Sequence, residues 1–138
     1  MNAELFLDTN VLVYAFTEQD ASKRIRSRQL HELAIGGRGI ISFQVVQEFL
    51  NTAQKKFQTQ FTDADLHEFL KSELWPLCAV FPSAELYGHA LRLRAETGYS
   101  YYDSLNVAAA LEAGCQTVYS EDLQPNHKLH GLEIKNPF

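Results

Sequence analysis

Cysteine is scarce in this chain. The 138 residues hold only Cys78 and Cys115, which form no Cys-x-x-Cys pair, so the sequence reads as a reduced, cytoplasmic protein. Long apolar runs are missing too. No segment approaches 18 apolar residues, so nothing is expected to span a membrane. Glu4 and Asp8 interrupt the one early apolar run, which removes the pattern of a signal peptide. The net charge of −5 is mild; it speaks against wrapping duplex DNA by bulk electrostatics and leaves room for a local basic patch. The five histidines show no metal-ligand spacing. Gly36-Gly-Arg-Gly39 lacks the Gly-Lys-Ser/Thr ending of a phosphate-binding loop and reads as a turn. No repeat, low-complexity tract or linker divides the sequence.

What is present is the material of a core. Hydrophobic residues make up 46% and aromatics 12%. A chain of this length suits one domain over residues 1–138, burying roughly 68–70% of its unfolded surface. The run that begins at Glu4 and reaches Asp8 through Leu-Phe-Leu predicts a short buried strand of a parallel sheet, ending on a carboxylate. A short helix from Asn10 to Phe16 follows, with Asn10 as its cap, then a helix from Ala21 to Ile35 that stops at Gly36-Gly37. Gly39–Ile41 predicts a strand. Ser42 caps a helix to Phe57 whose apolar stripe is Val45, Val46, Phe49, Leu50 and Ala53.

Thr62-Asp-Ala-Asp65 has the form of a capping box and opens a helix to Leu74, ended by Pro76. Cys78–Phe81 predicts a strand, Pro82-Ser83 to Gly98 a helix, Tyr102–Ala113 an alanine-rich helix closed by Gly114, and Gln116–Tyr119 and Leu132–Ile134 two more strands. Strands alternating with helices predict an α/β fold with a parallel central sheet flanked by helices.

Four acids fall at the ends of these elements. Asp8 follows the first strand. Glu48 lies early in the Ser42 helix, Asp103 in the first turn of the Tyr102 helix, and Asp122 after the strand that ends at Tyr119. Ligands of open α/β sheets bind at the carboxyl ends of the strands. Two carboxylates about 4 Å apart repel by roughly 4 kcal/mol at an effective dielectric near 20, so a converging set calls for a hard divalent cation, Mg2+ or Mn2+, and a cation of that kind suggests phosphate chemistry. Thr9 and Ser120 can add hydroxyl contacts, Asn10 can hold the Asp8 turn, and Asn106, one helical turn after Asp103, can orient that acid or serve packing. Each acid also has a plain reading. Asp103 can serve as a helix cap, Glu48 as a solvated helix residue and Asp122 as a turn residue, and Glu121 competes with Asp122 for any role.

These stretches resemble the PIN-domain nucleases, most closely the toxins of the VapC type. The likeness is carried by Phe6-Leu-Asp8-Thr-Asn10-Val-Leu-Val-Tyr14, by Ser42-Phe-Gln-Val-Val-Gln-Glu48-Phe-Leu-Asn51, by Tyr101-Tyr-Asp103-Ser-Leu-Asn-Val-Ala-Ala-Ala110 together with Tyr119-Ser-Glu-Asp122-Leu, and by the closing Ile134-Lys-Asn-Pro-Phe138. The resemblance implies a Rossmann-like PIN fold and Mg2+- or Mn2+-dependent cleavage of single-stranded RNA. It implies that Asp8 and Asp103 are the main metal ligands, with Glu48 and Asp122 completing the site through water. It also implies an antitoxin protein as partner and a homodimer.

Three other readings compete. A phosphoacceptor signalling domain needs a lysine after a late strand, where this chain has Ser120-Glu-Asp122. A haloacid-type phosphatase wants an aspartate where Asn10 stands. A catalytically silent RNA- or protein-binding module would be favoured by a missing acid, and none is missing. The basic run Lys23-Arg-Ile-Arg26-Ser-Arg28 reads as a solvated helix face or a contact for phosphates or an antitoxin, and Arg92 and Arg94 as snorkelling surface residues. Of Tyr99, Tyr101 and Tyr102, one can stack a base, or all can pack in the core or at an interface. His127 and His130 sit in a polar loop that could approach substrate. Trp75 and the phenylalanines are expected in the core.

Overall fold

A computed structural model describes residues 3–138. Among them, six strands form one sheet in the order β3-β2-β1-β4-β6-β5. The strands are β1 (Leu5–Leu7), β2 (Gly39–Ser42), β3 (Cys78–Val80), β4 (Thr117–Tyr119), β5 (Lys128–Leu129) and β6 (Leu132–Lys135). The first four and β6 run parallel, and β5 pairs antiparallel with β6. The helices are α1 (Thr9–Val13), α2 (Ala21–Leu33), α3 (Phe43–Lys56), α4 (Asp63–Phe69), α5 (Ala84–Thr97) and α6 (Tyr101–Glu112). The fold is therefore the mixed α/β architecture that the alternating pattern predicts.

The chain builds β1, β2 and β3 in one direction and then returns to place β4 on the other side of β1. The boundary between β1 and β4 is thus a topological switch point, where the connections leaving the two strands diverge and open a crevice. Phe6 and Leu7 of β1 are fully buried, as a central strand covered on both faces requires. Beside the sheet, Phe16, Phe49, Phe57, Phe61 and Phe69 pack together, with Phe49 stacked on Phe69 at 5.3 Å and Phe16 edge-on to Phe69 at 5.4 Å.

Several local details differ from the sequence reading. Asp8, not Asn10, caps α1, its side chain accepting from the Thr9 amide. Two predicted helices end in wider π turns, Ala34–Arg38 after α2 and Leu70–Leu74 after α4. The first takes up Gly37 with φ of 95°, which relieves the chain before β2. The capping box of Thr62 and Asp65 forms in full. Trp75 is not core: it stands 54% exposed, edge-on to Phe81, which is itself exposed. Trp75 lies in a 3-10 turn with Pro76 at its start, and a turn outside the sheet faces has only one side to bury. The strand β5 was not expected, because two residues carry no readable periodicity.

Candidate active site

Asp8 leaves β1 at its carboxyl end and is 6% exposed. Its amide donates to the Tyr119 carbonyl at the end of β4, which fixes it at the switch point. Every oxygen of its carboxylate is engaged. Oδ1 accepts from the Thr9 amide at 2.7 Å and from Asn106 Nδ2 at 3.1 Å, and Oδ2 accepts from the Ser120 hydroxyl at 2.8 Å. Burial nevertheless dominates and pushes the Asp8 pKa up to about 6; the Ser120 and Thr9 hydrogen bonds oppose the shift, and the charges of Glu48 and Asp122 add to it.

The other three acids come to the same place from three further elements. A cleft of about 130 Å³ is lined by Asp8, Thr9, Asn10, Gln44, Glu48, Thr52, Tyr102, Asp103, Asn106 and Asp122. Glu48 projects from α3, with its Oε1 accepting from the Thr9 hydroxyl at 3.3 Å. Its pKa is raised, first by desolvation of the carboxylate, while hydrogen bonds from Gln44 and Thr9 lower it and the charges of Asp103 and Asp122 raise it. Asp103 occupies the first turn of α6, where its amide donates to the capping Ser100 hydroxyl at 3.2 Å. Asp122 follows β4 and accepts from Asn10 Nδ2 at 2.7 Å.

The supporting residues are placed differently from the alternatives open to sequence. Asn106 donates to Asp8, not to Asp103. Asn10 holds Asp122. Ser120 is buried, donates to Asp8 and accepts from the amides of Asp122 and Leu123. Glu121 points away from the cleft. Its carboxylate pairs with Lys23 Nζ at 2.8 Å and accepts from the Tyr14 hydroxyl at 2.8 Å, and Lys23 holds its pKa down. The basic run lies on a partly exposed helix face, as a solvated face would, but its side chains are tethered. Lys23 is tied to Glu121, Arg24 donates to the Thr17 and Glu18 carbonyls, Arg26 to the Pro137 carbonyl and Arg28 to the Ala15 carbonyl. His127 accepts or donates at the Tyr99 hydroxyl (2.7 Å) and His130 meets Glu96 (2.9 Å); neither lines the cleft.

The residues lining the cleft therefore include four carboxylates and, among the described residues, no lysine, arginine or histidine. As the side chains stand, no three of the described acidic, histidine or cysteine side chains converge on one point at ligand distance. The donor set still suits a hard cation. It is all oxygen, two of its acids are held above their ordinary pKa by burial and mutual repulsion, and two lining amides, Asn106 Oδ1 and Gln44 Oε1, are buried with no partner. A larger cavity, about 590 Å³, lies at the amino end of the strands and is lined mainly by Ala, Gly, Ile and Leu residues, with Glu73 its one acid. It has no share in this chemistry.

The PIN domain family model matches residues 5–128. The chain belongs to the PIN domain family. Among solved structures it is similar to a toxin–antitoxin complex from Klebsiella pneumoniae (19% identity, 99% of this chain and 98% of that one, TM-score 0.65). It is also similar to FitAcB from Neisseria gonorrhoeae (20%, 96% and 97%, TM-score 0.64) and to VapC20 from Mycobacterium tuberculosis, a toxin that cleaves the sarcin-ricin loop (17%, 86% and 90%, TM-score 0.62). At these identities the likeness is one of fold. No curated protein matches the chain significantly. In this PIN domain the four acids and the switch point coincide.

Proposed function

We propose that the chain is a divalent-metal-dependent endoribonuclease of the VapC type, hydrolysing phosphodiester bonds of single-stranded or loop RNA. The observation that carries this reading is the cleft itself: Asp8, Glu48, Asp103 and Asp122, from four separate segments, line one crevice with no cationic side chain to neutralise them. Membership of the PIN family and the resemblance of the fold to VapC20 and to toxin–antitoxin complexes support it.

In this reading Asp8 and Asp103 would hold Mg2+ or Mn2+, with Glu48 and Asp122 completing the site through water. The ion, when bound, supplies positive charge against the phosphoryl oxygens and acidifies water for attack at phosphorus. Thr9, Asn106 and Ser120 keep the Asp8 carboxylate in one orientation, as supporting groups around a ligand do. Glu48, with its raised pKa and partial solvent access, takes the proton released by the attacking water. Asn10 holds Asp122 at the rim of the cleft. No covalent intermediate is needed.

An antitoxin that fills the acidic cleft belongs to the same proposal, supported by the toxin–antitoxin neighbours, and a homodimer belongs to it as part of the VapC-type reading. Among the described residues no helix is long and apolar enough to cross a membrane, and both cysteines are free and buried, which fits a reducing compartment. The decisive experiment is cleavage of a labelled single-stranded RNA pool with Mg2+ or Mn2+, against EDTA, with Asp103→Asn alongside. Metal-dependent cutting that is lost in the variant supports the reading. Cutting that persists in EDTA or in Asp103→Asn overturns it.

A further inference from the structure

Tyr102 has the highest exposure of the large apolar side chains among the described residues, at 66%. It precedes Asp103 in the first turn of α6 and lines the acidic cleft. Its ring meets that of Tyr101 edge-to-face at 5.6 Å and 71°, and most of the residue is open to solvent. A second groove of about 380 Å³ adjoins the cleft, lined by Tyr102 and by Gln44, Gln47, Glu48 and Asn51 of α3. Those four positions are spaced three, four and seven residues apart, so they share one face of the helix. Gln44, Glu48 and Tyr102 line both cavities, which makes the groove continuous with the cleft.

The chemistry of this groove is unlike that of the cleft. It offers one exposed aromatic ring and three amides, with a single acid at the shared border and no cation to hold a phosphate. Gln44 is 5% exposed, donates to the Tyr102 carbonyl at 3.4 Å, and keeps its Oε1 buried without a partner. Amide side chains present a donor and an acceptor side by side and match the edges of nucleobases. Aromatic rings stack bases that are free of a duplex. We propose that Tyr102, Gln47 and Asn51 form a subsite for one unpaired nucleobase next to the scissile phosphate, with Tyr102 stacking the base and the two amides reading its edge. The proposal rests on the nuclease reading above and adds to it the residues that select sequence.

The test uses a short single-stranded RNA that the protein cuts, and the same RNA with an abasic nucleotide at each position in turn. One abasic position should raise KM by roughly 5- to 150-fold, the range that base–aromatic stacking covers. Tyr102→Ala should raise KM on intact RNA by a similar factor, lose nothing further on that abasic RNA, and show the larger share of its loss in KM rather than in kcat. Tyr102→Phe should restore tight binding, and Gln47→Ala with Asn51→Ala should flatten the preference among the four bases. Equal KM for wild type and Tyr102→Ala on intact RNA overturns the subsite, as does an equal loss on intact and abasic RNA. If the wild type cuts no RNA with either ion, the nuclease reading fails by itself. Equilibrium binding of the same oligonucleotides then decides the subsite: unchanged affinity in Tyr102→Ala overturns it, and a loss confined to RNA that carries the base supports it.

Discussion

The Ser120 hydroxyl donates to Asp8 Oδ2 at 2.8 Å while accepting from the amide of Asp122. One buried side chain thus joins the acid that ends β1 to the loop that carries the fourth acid. The bond opposes the upward pull of burial on the Asp8 pKa. Ser120→Ala should therefore raise that pKa further. Hydrogen bonds to charged groups contribute about 1.5–3 kcal/mol, so the acidic limb of the pH–rate profile should move up by roughly 1–2 pH units. Cleavage rates of wild type and variant measured from pH 5 to 9 at Mg2+ well below saturation, where the cation competes with the Asp8 proton, check this. An unmoved limb would mean that Asp8 ionisation does not govern the rate.

The same pKa makes Asp8 a stability sensor with a definite sign. In the metal-free protein the folded state keeps the Asp8 proton up to about pH 6, whereas the unfolded chain releases it near the ordinary 3.8. The folded state therefore binds more protons between those values, and stability falls as pH rises through this window, by up to about 3 kcal/mol. Above it the loss is complete. Asp8→Asn removes the loss and keeps the volume, so the variant should be at least as stable as wild type in EDTA at pH 7.5, although it should not cut RNA. Urea midpoints at pH 4.5 and 7.5 decide it. Adding Mn2+ should raise the wild-type midpoint at pH 7.5 and leave the variant where it was.

His31 bends the same curve the other way. It is buried against Phe69 at 6.1 Å, its Nε2 has no partner, and burial lowers its pKa while Glu73 and Glu32 pull upward. The unfolded chain takes up the proton at the ordinary 6.5, and the folded state resists. Stability from this site is complete above pH 6.5 and is lost as pH falls through the lowered value. His31→Met, which fills the space with a flexible apolar chain, should flatten the acid side of the stability curve without altering the fall that Asp8 causes. Urea midpoints of the single and double variants across pH 4.5–7.5 separate the two contributions.

The central strand and the acid that ends it are legible because each rests on local pattern. Leu5–Leu7 is apolar on both faces, Thr62 and Asp65 sit three apart, and Ser42 and Ser83 stand where caps belong. What was not legible depends on distant partners. Asn10 and Asp122 are 112 residues apart, as are Asp8 and Ser120, and no propensity encodes which side chain a loop will meet. The basic run of α2 is the partly exposed face its charges suggest, but its tethers are not readable: the acceptors are backbone carbonyls, Ala15 and Pro137 among them, and a carbonyl has no signature in the sequence. Trp75 departs from the aromatic default of burial: in its short 3-10 turn it stands exposed beside Phe81.

Glu121 and Asp122 are neighbours with opposite surroundings, which makes their roles separable. Glu121 is held by Lys23 and Tyr14, and the ring of Phe138 packs edge-on to Tyr14 at 5.0 Å beside them. Asp122 is held by Asn10 and lines the cleft. Asp122→Asn should lower cleavage by roughly 10- to 100-fold, the usual cost of removing a group that supports a metal site. Glu121→Gln keeps the hydrogen bond from Tyr14 and weakens only a partly exposed ion pair, so its kcat should stay within about twofold of wild type. Single-turnover cleavage of one RNA by both variants, with Mg2+ titrated, is the measurement. A large loss in Glu121→Gln beside a near-normal Asp122→Asn would reverse the assignment and place the fourth acid on the Lys23 side of the loop.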